Sequence, residues 1–228
     1  GSEEWDGATA PANVRSETRT NDLLLVGVKE YAESIDSVRN CSGLILDITD
    51  FPGLNDSEIE AMVISLRSRM DNSSIILLRG RIDRIERVFR LVMDLDLDGA
   101  VVICSTPSGS RLASSLPKIG LASKAMGIGE TGKFVMLEID FEPEAKVMLI
   151  AVASGCTAIV SPHMGGSVRS KIEDLGKEIR GWMRDIGVDR IDRIGRRNLR
   201  ADDYDTAAIS GLRLVGYERP LKMWLELG

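Results

Sequence analysis

Histidine is almost missing from this sequence: His163 is the sole one in 228 residues. A zinc site rich in imidazole, or a Ser-His-Asp triad, would have to be built around that one ring. No zinc is expected. Cysteine is scarce too. Cys41, Cys104 and Cys156 are odd in number, far apart and form no C-x-x-C pair, which excludes a disulfide framework and reads as buried thiols in a reducing, cytoplasmic setting. Aromatic residues make up 4% of the chain. No apolar run approaches the ~18 residues of a membrane span, and the polar, acidic opening stretch has no secretory pattern. Positive charge is in deficit, with a formal net charge of −6. That balance argues against nucleic acid or a membrane surface as partner.

What is present is a substantial apolar complement, 43% of residues, enough for a large core. After a polar lead-in over residues 1–21, short apolar runs alternate with amphipathic ones. The runs are DLLLVGV (22–28), GLILDI (43–48), SIILLRG (74–80), GAVVICS (99–105), KFVMLEI (133–139) and CTAIVS (156–161). Apolar on both faces and rich in β-branched residues, they read as strands of a covered parallel sheet.

The segments between them read as helices. Asn55 and Glu58 have capping-box spacing ahead of a stripe of Ile59, Met62, Val63 and Leu66. Asp83 and Glu86 repeat the spacing ahead of Ile85, Val88, Phe89 and Val92. Pro143 suits the first turn of a helix ending near Gly155. The longest helix spans about 167–186, with Val168, Ile172, Leu175, Ile179, Met183 and Ile186 inward and Gly187 as its cap. Alternation at this spacing means an α/β fold with right-handed crossovers. Six strands in a chain shorter than the ~250 residues of a closed eight-stranded barrel leave a trimmed barrel or a doubly wound sheet. The expected architecture is a parallel, barrel-like domain over 22–187, a trimmed or incomplete TIM barrel, with a helical C-terminal extension over 188–228.

GIGETGKF (127–134) fits G-x-x-x-x-G-K. A phosphate-binding loop of that kind follows a strand and opens a helix. Here a helix precedes it, a strand follows it, and Phe134 stands where magnesium needs a hydroxyl. The stretch reads as a helix-to-strand turn, with no ATP site.

Other candidates sit after strands, where α/β proteins place ligands. Ser105, Ser108, Gly109 and Ser110 in STPSGS, beside Arg111, offer hydroxyls and an open amide to an anion, or form an ordinary loop. Asp47, Asp50 and Asp56 are candidate magnesium ligands, or a turn with a helix cap. Ser161, His163, Gly165 and Gly166 form an anion nest at the start of the long helix, or a flexible helix entry. The arginines of RIDRIGRRNLR (190–200) alternate with Asp and read as a solvated, salt-bridged segment.

IGVDRIDRIGRRNL (186–199), after the long helix, resembles an element that ends the FMN-binding barrel domain of glutamate synthases. The family pattern there is a helix, then L-G, then V-D-E-L-I-G-R-x-D-L-L. NDSEIEAMVISLRSRMDNSSIILLRG, LDLDGAVVICSTPSGS and KFVMLEIDFEPEAKVMLIAVASGCTAIVS are similar to earlier parts of that domain, so the resemblance covers about residues 55–228. It implies a parallel barrel, and an FMN-dependent oxidoreductase forming glutamate from 2-oxoglutarate and ammonia. FMN would meet Arg79, the STPSGS hydroxyls and the Ser161–Gly166 turn. A larger glutamate-synthase-like subunit is the implied partner, and the edge that six strands leave open is expected to be covered by the tail or by a second copy of the chain.

The chain departs from the family at the cofactor. The glycine turn at the phosphate is Glu138-Ile139-Asp140, whose carboxylates repel an anion. The Gly-Arg after the last strand is Ser161-Pro162, and proline donates no amide. The strand lysine falls at Leu77 or Leu78, leaving Arg79 as the nearby cation. The cysteines of the iron–sulfur cluster have no counterpart, so no cluster is expected. Two functions follow: the flavin oxidoreductase, or a non-catalytic scaffold derived from it.

Overall fold

The computed structural model describes residues 14–15, 23–29, 31–34, 38, 42–51, 53–70, 74–104, 112–161 and 167–218. Its strands are β1 (Val14–Arg15), β2 (Leu23–Gly27), β3 (Gly43–Asp47), β4 (Ile75–Arg81), β5 (Gly99–Ile103), β6 (Phe134–Glu138) and β7 (Ala158–Val160). The helices are α1 (Tyr31–Ser34), α2 (Asp56–Arg67), α3 (Ile85–Asp94), α4 (Leu112–Met126), α5 (Ala145–Ala153), α6 (Val168–Asp185) and α7 (Tyr204–Ser210). All six apolar runs are strands. Two residues of the lead-in add a seventh, too short to leave a periodic signal.

Every strand pairs in parallel with the next, in the order β1 to β7. That order has no reversal point, so the sheet is not doubly wound. It curls into a partial (β/α) barrel with helices in the connections.

Side-chain alternation sorts the strands into two faces. Leu24, Val26, Leu44, Leu46, Ile76, Leu78, Ala100, Val102, Val135 and Leu137 face outward and pack with Ile59, Val63, Leu66, Phe89 and Ile119 of the helices. Leu23, Ile45, Leu77 and Val101 line the inner face, with Met136 and Val160 against them. Gly99 lies where strands crowd: a Cβ there would stand 2.2 Å from the Phe134 carbonyl oxygen. At Gly80 a Cβ would meet Val88 Cγ2 at 2.4 Å, so glycine lets α3 lie close on β4.

The Asn55 capping box forms in full. The Glu58 amide donates to Asn55 Oδ1 at 2.8 Å, and the Asn55 amide to Glu58 Oε2 at 2.9 Å. The Asp83–Glu86 pair does not cap. Asp83 sits inside a 3-10 turn, Ile82–Arg84, and α3 begins at Ile85 with no side-chain cap bond. The turn supplies the backbone bonds that a cap would otherwise have to make. Pro143 lies just outside α5, whose N-cap is Glu144. In α6, Leu175 and Ile179 are buried, with Met183 and Ile186 packed beside them. Val168, expected inward, is 52% exposed as the first residue of the helix.

Residues 127–134 are the helix-to-strand connection that their order implied. Gly127 and Gly132 take φ of 70° and 71°, and Lys133 donates to Asp96 Oδ1 and the Leu97 carbonyl, each at 2.7 Å. After α6 the chain forms 3-10 turns at Ile191–Arg193 and Arg196–Asn198, then α7. Arg190 pairs with Asp192 and Arg193 with Asp189, as expected for a salt-bridged segment, while Arg196 and Arg200 donate to backbone carbonyls instead. Among the described residues, no helix is long and apolar enough to cross a membrane.

Candidate functional site

In (β/α) barrels, chemistry gathers at the C-terminal ends of the strands. In three strands here the inner apolar stripe ends there in a charge. Ile45 is followed two residues on by Asp47, Leu77 by Arg79, and Met136 by Glu138. Asp47 and Arg79 are register partners on adjacent strands. Glu138 is two strands from Arg79 and one layer nearer the mouth, since Arg79 aligns with Val101, and Val101 with Met136.

The Arg79 guanidinium bridges the three strands. Its Nε donates to Glu138 Oε2 at 2.7 Å and its Nη2 to Glu138 Oε1 at 2.6 Å, a bidentate fork. Its Nη1 donates to Asp47 Oδ2. The other Asp47 oxygen accepts from the Thr49 amide at 2.9 Å and the Thr49 hydroxyl at 2.7 Å. The Arg79, Asp47 and Glu138 side chains are 19%, 15% and 21% exposed. The hydrogen bonds it donates to Glu138, together with the charges of both carboxylates, raise the Arg79 pKa above its already high ordinary value. One cation against two anions leaves the cluster at −1.

The arrangement holds the ends of β3, β4 and β6 together and presents a negative, hydrogen-bonded surface at the mouth. Of the residues expected to meet FMN, Arg79 is at the mouth but is committed to carboxylates. Sequence reasoning set Glu138 against a phosphate and Arg79 toward one; in the fold they face each other. The signal in the sequence was a charge two residues after an inner-face apolar residue in each of β3, β4 and β6. Ser161 donates its hydroxyl to the Phe141 carbonyl at 2.8 Å, tying the end of β7 to the loop after β6. Ser105, Ser108, Gly109, Ser110, His163, Gly165 and Gly166 lie outside the described residues.

The three candidate magnesium ligands are not brought together. Asp47 turns to Arg79 and Thr49. Asp56 accepts from Arg87 and Arg90, at 2.8 and 2.7 Å, fastening the start of α2 to α3. The bond from Arg87 is the main reason its carboxyl lies below the ordinary range. Among the described residues, no cluster of histidine, cysteine and carboxylate side chains suits a metal ion.

No protein-family model matches the chain, and no curated protein matches it in sequence. Solved structures do match. DHODH from Eimeria tenella, in complex with ferulenol, is 9% identical over 72% of this chain and 56% of that one, with a TM-score of 0.50. Dihydrodipicolinate synthase from Rhodopseudomonas palustris is 18% identical over 73% of this chain and 53% of that one, with a TM-score of 0.43. This chain spans about half the length of both. At such identities the first likeness is one of fold: a partial (β/α) barrel.

Proposed function

We propose that this chain is a glutamate-synthase-like barrel segment that serves as a non-catalytic, partner-binding scaffold. The observation that carries the reading is the fork between Arg79 and Glu138, closed on its other side by Asp47. A flavin phosphate arriving at this mouth meets a net negative cluster, and its best cation is already bound twice. Displacing Glu138 would strand a carboxylate that is one-fifth exposed beside a second anion, a cost of several kcal/mol for a group so placed. The described residues at the mouth therefore do not fit FMN. The resemblance over 186–199 supports common ancestry with the glutamate synthase barrel, and the altered mouth supports loss of its flavin chemistry. Among the described residues the sheet has edges at β1 and β7, the places where a larger glutamate-synthase-like subunit or a second copy would attach.

The test is an absorbance spectrum of the purified chain, then titration with FMN, with light scattering on the same sample. The expected result is no visible flavin band, no saturable binding in the micromolar range (about −8 kcal/mol), and a mass above that of one chain. Saturable FMN binding would instead put the flavin oxidoreductase first, with glutamate formation from 2-oxoglutarate and ammonia as its assay. A chain without flavin that remains a monomer at high concentration, and alongside a candidate subunit, would remove the scaffold reading.

A further inference from the structure

A cavity lies outside the sheet, away from the Arg79 cluster. Helices α4, α5 and α6 and the segment after α6 enclose about 330 Å³, at the lower end of the range for small-molecule clefts. Leu149 and Ile150 of α5, Trp182 and Ile186 of α6, and Ile194 and Leu199 of the following turns form apolar wall. Leu149 and Ile194 are buried members of the cluster that joins α5 to α6. Trp182 is 46% exposed. An indole left half in solvent beside an apolar wall is a flat contact surface.

The hydroxyls of the lining are already satisfied. Ser154 donates to the Ile150 carbonyl at 2.9 Å, and Ser210 to the Thr206 carbonyl at 2.5 Å. The interior therefore calls for an apolar body. The rim is charged differently. It carries Lys146, Arg196 and Arg200 against Asp202 and Asp203, three cations to two anions. Asp203 is engaged at the start of α7, accepting from the Thr206 amide and hydroxyl at 2.7 Å each. Asp202 stands 3.8 Å from Lys146. Arg196 donates to the Ser210 carbonyl at 2.6 Å, and Arg200 to the carbonyls of Arg197 and Leu199, both at 2.8 Å. Among the described residues, neither guanidinium meets a carboxylate. Carbonyl bonds orient them, and with no paired carboxylate among the described residues they are placed to meet an oxyanion.

We propose that this cavity is a binding site for a small amphipathic anion. An aromatic or short aliphatic body lies between Trp182 and the α5 wall, and a carboxylate or similar oxyanion is held at Arg196 and Arg200. The site is independent of the mouth and of what occurs there.

The test uses the full chain and 1-anilinonaphthalene-8-sulfonate, an aromatic anion of this kind, followed by its fluorescence. Saturable binding at one site per chain is expected, with displacement by octanoate but not by the same concentration of octanol. Trp182→Ala weakens binding about tenfold, and Arg200→Gln together with Arg196→Gln about fivefold. Circular dichroism and the melting temperature confirm that the variants are folded, and the exposed Arg200→Gln alone provides a variant with no packing to lose. Binding that never saturates, that all these substitutions leave unchanged, or that octanol displaces as well as octanoate, would overturn the proposal.

Discussion

Arg79 of β4 and Glu138 of β6 meet across the intervening strand β5, through two parallel hydrogen bonds of 2.7 and 2.6 Å. The contact joins residues 59 positions apart in sequence and uses the closeness that only a curled sheet gives to alternate strands. It predicts a strong asymmetry between substitutions. Arg79→Met leaves Asp47 and Glu138 as neighbouring, partly buried carboxylates and should cost about 3 kcal/mol in denaturant unfolding. Arg79→Met with Glu138→Leu should recover at least half of that loss. Equal costs for the single and double variants would mean that the fork contributes nothing beyond packing.

Gly99 is a second point of crowding. Gly99→Ala places a methyl group 2.2 Å from a backbone oxygen of β6, and a strand in a ladder cannot yield as a side chain can. The variant should lose about 2–4 kcal/mol. Gly80→Ala, whose new methyl meets the movable Val88 side chain, should lose less, about 1–2 kcal/mol. Thermal melts of the two variants settle the ranking.

The α2 terminus has two separable supports. Asn55→Ala removes the capping box and should cost about 1 kcal/mol. Asp56 acts by charge. Its folded-state pKa is lowered from 3.8 by Arg87 and Arg90, so its contribution is fully present above the unfolded value and is lost as pH falls below 3.8 through the folded value. The carboxyl is 40% exposed, which limits the effect to about 1 kcal/mol or less. Comparing wild type with Asp56→Asn, the stability difference should be constant at neutral pH and shrink below pH 3.8.

Cys104 and Cys156 are buried thiols. Burial, with a smaller contribution from Cys104, pushes the Cys156 thiol up from 9.0 to about 12. A raised folded-state pKa gives stability that is intact below the unfolded value of 9.0 and is lost as pH rises toward about 12. Stability should therefore fall over that alkaline window, and less so in Cys156→Ala. At pH 8 a thiol reagent should reach neither cysteine until denaturant is added. Rapid labelling of Cys156 in the folded chain would contradict its burial.

The strands, the Asn55 cap and the inverted Gly127–Phe134 turn were legible in the sequence, because local periodicity and backbone sterics decide them. Short continuous apolar runs bounded by polar residues suit strands covered on both faces, while the apolar run inside α5 was read as helix from Pro143 before it and Gly155 after it. Asp83 and Val168 were misread because a 3-10 turn and the end of a helix depend on what the neighbouring elements leave uncovered. The candidate site was legible only as three charges. Asp47, Arg79 and Glu138 are single residues at the ends of separate strands, and sequence alone assigned Arg79 to a phosphate and Glu138 to repelling it. Which charge meets which depends on strand order and on a stagger of one layer across the inner face, both set by tertiary packing. The outer cavity is a stronger case of the same dependence, since α4, α5, α6 and a run of arginines become a pocket only when these helices pack with the turns that follow α6. Sequence determined the elements through local forces; tertiary structure decided their chemistry, because charges act through space rather than along the chain.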